Sequence, residues 1–384
     1  IAHLLIVVIV TLLAFGVRFV PTLRTYQFTA WIIAIVTAAM LFPEWFKPFE
    51  RGTTAHKTML LVLIQLVMFG MATHMGIRDL VGVSQKPFPI VVGLFCQYLI
   101  MPLLGYSLAV LFRLPPEIAA GVMVYIAGGN LALSIAITSI ATLLAPLLTP
   151  MWMKILAGSM VEISFTKMMV DIIKIVIVPT GAALVHDYFK FGSTRGKRVV
   201  WGLAGAAVLL IADLLAHGAV WKWMQNHSQL ALWIQLLAFI LGGVLFGVLY
   251  HCVVLAAPLI DHWMPAAAMA GVVLVTGITT AEGRDSLLAV GLPLLAATLL
   301  HNVLGYLLAY WGSRAFGLEE ESCRTVAFEV GMQNGGMATG LAAGMNKLGT
   351  MGLAAAIFIP VMNVSGSLLA NFWRLRPAQK REHE

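Results

Sequence analysis

The chain reads as a succession of apolar runs separated by short polar links. Runs near the length of a bilayer-crossing helix, about 20 residues, recur along it, and the links between them hold most of the charge. They fall at 1–17, 27–45, 57–77, 89–112, 117–128, 131–157, 159–186, 199–218, 229–255, 264–282, 286–313, 321–345 and 349–373, which predicts thirteen candidate spans. One of them, 117–128, would rise only about 18 Å as a helix, too little to cross a core of roughly 30 Å alone. Residues 1–17 show neither the leading basic residues nor the closing small-residue site of a signal peptide, so they read as an accessory first helix.

Composition turns this pattern into a class. The chain is 60% hydrophobic and 11% charged, with mean hydropathy +0.92. That leaves too little polar surface to cover a water-soluble core, so the expectation is an all-α polytopic membrane protein in the lipid bilayer of a cell membrane. Cys96, Cys252 and Cys323 have no metal-site or disulfide spacing and read as small buried residues. With the C-terminus inside, fourteen Lys and Arg collect on the inner side and eight on the other. This bias predicts a cytoplasmic C-terminus. It also accounts for the net charge of +7, and no basic patch with interleaved aromatics points to nucleic acid.

An internal echo suggests a repeat. "GYSLAVLFRLPPE" from Gly105 resembles "GYLLAYWGSRAFGLEEE" from Gly305, and a Gly- and Asn-containing span follows each. Paired, interrupted apolar segments in two halves point to the midplane site of a secondary transporter.

The stretch Glu329–Gly336, "EVGMQNGG", puts an ionisable side chain and two carboxamides inside an apolar span. A carboxylate at that depth is costly and marks function by default; the alternative is a Glu neutralised by hydrogen bonds between helices. Gly331, Gly335 and Gly336 let the helix unwind, freeing backbone carbonyls. Glu, Gln and free carbonyls are the oxygen ligands that hard cations take. The N-terminus of a half-helix favours an anion. One local feature thus offers both halves of a cation–anion symport site.

Three segments carry a resemblance: "RTVAFEVGMQNGG", "GNLALSIAITSIATLLAPLLTP" (Gly129–Pro150) and "NVSGSLLANFW" (Asn363–Trp373). Together they resemble the bile acid:sodium symporter family in its bacterial form, over about residues 27–374. The resemblance implies ten core helices in two inverted five-helix repeats with crossing broken helices, and sodium-driven uptake of an organic anion such as a bile acid, a 2-keto acid or pantoate. The division it implies is an accessory helix over 1–26, a first repeat over 27–157, a second over 158–374 with an inserted helical pair at 199–256, and a cytoplasmic tail over 375–384.

Matched motif by motif, the resemblance implies two sodium sites sharing Glu329. Gln333, the backbones of Val330 and Met332, and Gln97 of "FCQYLIMP" would serve one; Ser134 and Thr138 would serve the other. Ser134 and Thr138 stand four apart and share a helix face, although back-bonding to the preceding turn is the ordinary use of such hydroxyls. Gln97 could equally be glue between helices. Asn334 and Gly335 are candidate substrate contacts, and Asn363 is a third. The chain departs from the family where a Pro-Gly-Gly break with a Ser-Asn pair is expected: Glu117–Gly121 runs straight into Val122–Tyr125. Either an internal segment is absent from the chain in hand, or the first broken helix is shortened, one sodium site loses ligands and transport is impaired.

Lys167, Asp171 and Lys174, at i, i+4 and i+7, read as an ion-paired stripe facing a water-filled cavity, or as an interfacial helix end. His301–Asn302 either lines the path or packs helices. Two other function classes stand beside symport with sodium. A proton-coupled carrier would use Glu329 as its relay. A membrane-embedded enzyme would need a catalytic constellation, and neither H-E-x-x-H nor G-x-S-x-G is present. The expectation is no enzyme.

Overall fold

A computed structural model describes residues 2–49, 54–73, 76, 87–115, 118, 132–158 and 164–376. It is helical almost throughout, with no strand among the described residues. The helices are α1 Ala2–Gly16, α2 Gln27–Leu41, α3 Thr54–Ala72, α4 Pro87–Leu111, α5 Ala132–Ala157, α6 Phe165–Phe191 and α7 Thr194–Leu215. They continue with α8 Ala219–Asn226, α9 Ser228–Ala256, α10 Leu259–Glu282, α11 Arg284–Ala315, α12 Glu320–Gly331, α13 Gly335–Gly344 and α14 Met351–Arg374.

Nine helices are long and apolar enough to cross a membrane among the described residues, ten if one bent pair is a single span. Four of the thirteen expected spans account for the difference. The run 27–45 stops at Leu41 and turns by 97° into a 3-10 segment, Pro43–Phe49. Its Pro43 disfavours helical backbone at Phe42, which adopts φ −133° and ψ 63°. The run 57–77 ends at Ala72, 321–345 is broken in two, and 117–128 lies outside the described residues. The spans expected at 199–218 and 229–255 are observed as α7 and α9 with short α8 between them. Asp213 makes α8 possible, because its carboxylate accepts from the N–H groups of Ala219 (2.8 Å), Val220 (2.9 Å) and Trp221 (3.2 Å) at the new helix start. Cys96 and Cys323 are buried as expected, but Cys252 is exposed, on a helix that packs through its small-residue face.

The helices form two groups. One is a row in which α2, α10, α3, α6, α9 and α7 are successive neighbours, with α1 against α2. The α6–α9 contact relies on glycine: a Cβ on Gly243 would run into Val178, and one on Gly247 into the Ala182 carbonyl. Small residues of this kind let membrane helices approach closely. The other group gathers α4, α12 and α14 around α11, with α5 against α4 and α12. Here α4 and α11, the helices carrying the sequence echo, run antiparallel, since Met101 lies against Gly305 and Cys96 against Gly312. Helix α13 keeps its contact with α14 of this group and also lies against α3 and α6 of the row. The break between α12 and α13 therefore sits where the groups meet.

Two helices carry a π segment, Cys96–Ile100 in α4 and Ile173–Ile177 in α6, and each is followed two residues later by a proline, Pro102 or Pro179. Proline supplies no N–H to the preceding turn, and the wider π turn accommodates that loss. In α6 the Lys174 carbonyl accepts instead from Gln65 Nε2 (2.9 Å).

Candidate functional site

The break spans Met332–Asn334. At Met332 the backbone turns extended (φ −94°, ψ 111°), and the Gln333 N–H, which in a continuous helix would bond the Glu329 carbonyl, points to Met362 Sδ of α14 at 3.3 Å. Phe328 O keeps its helical bond from Met332 N (2.8 Å), while two later carbonyls find other donors: Val330 O accepts from Gln333 Nε2, and Gly331 O from Asn302 Nδ2 of α11 (2.7 Å). Unwound backbone at this depth survives only when protein or cavity satisfies it, and the surrounding helices do so residue by residue. The Asn302 carboxamide is itself held by Ser365 Oγ, which donates to its Oδ1. Tyr306 OH lies 3.4 Å from both the Met362 carbonyl and Ser365 Oγ.

Gly331 is required for packing as much as for unwinding. A Cβ there would overlap the Tyr306 ring, coming 2.8 Å from Cγ. This close approach lets Asn302 reach the Gly331 carbonyl.

Glu329 is fully buried on α12, and Thr138 Oγ1 of α5 donates to its Oε1 at 2.6 Å. A short bond to a carboxylate of this kind is charge-assisted. Gln97 comes from the π segment of α4, where Cys96, Gln97 and Tyr98 are all buried in succession. An unbroken α-helix spreads three consecutive side chains over most of its circumference. The expanded turn aims Gln97 at the break, with its Nε2 3.5 Å from Gln333 Oε1, while Tyr98 OH donates to the Ala141 carbonyl of α5 (2.6 Å).

The structure thus brings Gln97, Thr138, Glu329, Val330 and Gln333 into one buried cluster. Its oxygens are a carboxylate, a hydroxyl, two carboxamides and a main-chain carbonyl, a set suited to a hard monovalent cation. Ser134 stands one turn before Thr138 on α5, with its side chain outside the described set. Met332 forms the bend itself. Asn334 caps α13 through Oδ1, which accepts from Met337 N (2.9 Å), and Gly335 is the first residue of that helix. Asn363 donates to Ile359 O within its own helix (2.6 Å), and in α14 the neighbouring Met362 and Ser365 reach the break.

The pattern that defines the sodium bile acid symporter family matches residues 61–220, a stretch containing Gln97, Ser134 and Thr138. Over that stretch the chain is similar to that family. It is 27% identical over 369 residues to the Bacillus subtilis (strain 168) protein named "Uncharacterized sodium-dependent transporter YocS", covering 92% of each chain. Identity to the Arabidopsis thaliana "Probable sodium/metabolite cotransporter BASS1, chloroplastic" is 24% over 380 residues, 95% of this chain and 77% of that one. To the human "Ileal sodium/bile acid cotransporter" it is 28% over 295 residues, 72% and 66% of the two chains. These alignments extend the likeness well beyond the matched pattern.

Sequence reasoning missed Tyr306, Met362 and Ser365, and left Asn302 undecided between path and packing. A Tyr, a Met and a Ser in apolar helices carry no periodic signal; the Gly305–Tyr306 echo was the one hint. His301 is buried, with Nε2 donating to the Met101 carbonyl (3.0 Å), and so joins α11 to α4. Lys167 and Lys174 both act on Asp171 electrostatically, but none of the three makes an ion pair within 4 Å among the described residues. Asp171 lies beside Gly344 of α13, and the Lys174 ammonium stands over the Phe239 ring of α9 at 5.5 Å.

Arg324 secures the outer end of α12. Its Nε donates to Glu320 Oε1 (2.7 Å), and its Nη1 reaches the carbonyls of Arg376 (2.7 Å) and Trp373 (3.4 Å) at the end of α14.

Proposed function

We propose that the chain is a sodium-coupled symporter that carries an organic anion across the membrane by alternating access. The observation that carries this reading is the buried Glu329 carboxylate beside an unwound turn, with Thr138, Gln97 and Gln333 converging on it. A buried carboxylate at bilayer depth is expensive without a counter-charge. A sodium ion supplies one and takes its coordination from the oxygens already present. The names of the relatives, which speak of sodium-dependent transport and sodium/metabolite or sodium/bile acid cotransport, support the same cargo.

In this reading Glu329 is shared by two ions, one held with Gln97, Gln333 and the Val330 and Met332 carbonyls, the other with Ser134 and Thr138. The anion binds against the first amides of α13, near Asn334 and Gly335, with Asn363 further along its path. A cavity of about 10 Å³ lies there, between Thr276 of α10, Gly336 and Thr339 of α13 and Ile64 of α3, room for about one water. It marks the seam that would widen when the two helix groups rock apart. The antiparallel contact of α4 and α11 supports two inverted repeats, 27–157 and 158–374, and the basic residues favour a cytoplasmic C-terminus in a cell membrane.

The test is thermal stability of the purified protein against sodium, with potassium as control, for wild type and Glu329→Ala. A ligand bound only by the folded state raises the melting temperature by mass action. A sodium-specific rise that disappears in the variant is the expected result. If sodium and potassium act alike across a wide range in wild type, the sodium sites are refuted and proton coupling through Glu329 becomes the leading account.

A further inference from the structure

A cavity of about 580 Å³ lies away from the break, bounded by α3, α6, α7 and α9. None of its lining residues comes from α12, α13 or α14. Half of its wall is the inserted pair, so it depends on the part of the chain that the ten-helix core does not need. Its volume is that of a site enclosing one drug-sized ligand.

Polarity along this cavity is graded. Helices α3, α6 and α9 run in the same direction here, because Gly243 meets Val178, Gly247 meets Ala182, Phe69 meets Phe246 (4.9 Å) and Gln65 meets Lys174. Lys174, Gln65 and Gln235 therefore gather at one end, while Phe69, Phe246 and Ala182 form the other. The distance from Gln235 to Phe246 along α9 is about 16 Å, the length of an extended chain of about a dozen carbons. Lys174 lies about 14 Å inside its span, and its ammonium has no carboxylate within 4 Å among the described residues, only the Phe239 ring. Asp171, one turn earlier on α6, acts on it electrostatically from beyond ion-pair distance, and a cation held at that depth marks a functional site.

We propose that this cavity binds a single-chain amphiphilic organic anion, its charged head on Lys174 and the two carboxamides and its hydrocarbon body along Phe69, Ala182 and Phe246. Charge complementarity selects an anion, and a single chain of about a dozen carbons matches the length of the cavity along α9. The site is separate from the sodium cluster and does not rest on the symport reading.

Dodecanoate is the probe, added to the full chain in a neutral maltoside detergent, with dodecanol and dodecyltrimethylammonium as controls and melting temperature as readout. Dodecanoate is expected to raise the melting temperature saturably and the two controls not to. Lys174→Gln is expected to weaken the apparent affinity at least tenfold and Lys174→Arg to restore it within threefold. Ala238→Phe, which fills the slot without touching the charge, is expected to abolish the shift. Ligand-free melting within a few degrees of wild type shows that each variant folds. Equal shifts with dodecanol and dodecanoate, or an unchanged affinity in Lys174→Gln, overturn the proposal. So does phosphatidylglycerol that is retained from nanodiscs in a Lys174-dependent way and is not displaced by dodecanoate, because the occupant is then a bilayer lipid.

Discussion

Gly331→Ala isolates the packing that supports the break. The new methyl group falls on the Tyr306 ring, which cannot simply swing aside. Its hydroxyl sits between Met362 O and Ser365 Oγ, and Gly366, where a Cβ would stand 3.1 Å from that hydroxyl, closes the third side. Either α11 and α12 separate or Tyr306 leaves its rotamer, and overpacking of this kind costs about 1–3 kcal/mol. Separation also takes Asn302 Nδ2 from the Gly331 carbonyl, and a buried acceptor without its donor adds about 1–3 kcal/mol. The sum, roughly 2–6 kcal/mol, corresponds to a fall of about 4–12 °C in melting temperature at roughly 2 °C per kcal/mol for a chain of this size. The assay is intrinsic tryptophan fluorescence of the detergent-solubilised protein during a thermal ramp, run on the single variant and on two second-site backgrounds. Tyr306→Leu removes the ring, so on that background the alanine should cost less than about 2 °C. Tyr306→Phe removes the hydroxyl anchor but keeps the ring, so the alanine should cost more there than on the leucine background. Residues in contact show such coupling and distant ones do not. Equal costs of Gly331→Ala on the leucine and phenylalanine backgrounds would refute the argument.

Three further outcomes follow from the same geometry. Asn302→Ala should destabilise the protein by about 1–3 kcal/mol by orphaning the Gly331 carbonyl, with faster hydrogen exchange at 328–334 as its local signature. Gln97→Ala should raise the sodium concentration that half-saturates the thermal shift by about tenfold, the loss of one ligand worth roughly 1.4 kcal/mol; an unchanged midpoint removes Gln97 from the sodium cluster. Asp213→Ala withdraws the acceptor from three N–H groups at the start of α8 and should cost about 0.5–2 kcal/mol. Increased exchange confined to 219–226, with the sodium response intact, is the result that places this effect in α8 alone.

Much of the site could be read from the sequence because it interrupts a lipid-facing pattern. Glu329, Gln333 and Asn334 within an apolar span, with three glycines among them, have few structural explanations other than a satisfied break. Thr138 and Gln97 were reachable through the family motifs. The means by which Gln97 turns inward was not, since a π segment has no periodicity of its own. Only a proline two residues beyond it, at Pro102 and again at Pro179, records the cause. Pro43 was the available signal for the bend that cut short the run 27–45. Helix α8 depends on a cap from Asp213, a residue inside the preceding helix, where start signals are not normally sought. Tyr306, Met362 and Ser365 belong to the site through three-dimensional proximity alone.

The clamp at Arg324 also has a mechanical meaning. Helix α12 is tied to the end of α14 at its outer tip and to α11 through Asn302 at its inner tip. A strut pinned at both ends does not pivot independently. Any displacement of α12 must take α11 and α14 with it as a single lever. Beyond the Met332–Asn334 turn, α13 rests on α14 and also on α3 and α6, so it is the piece that couples this lever to the row of helices.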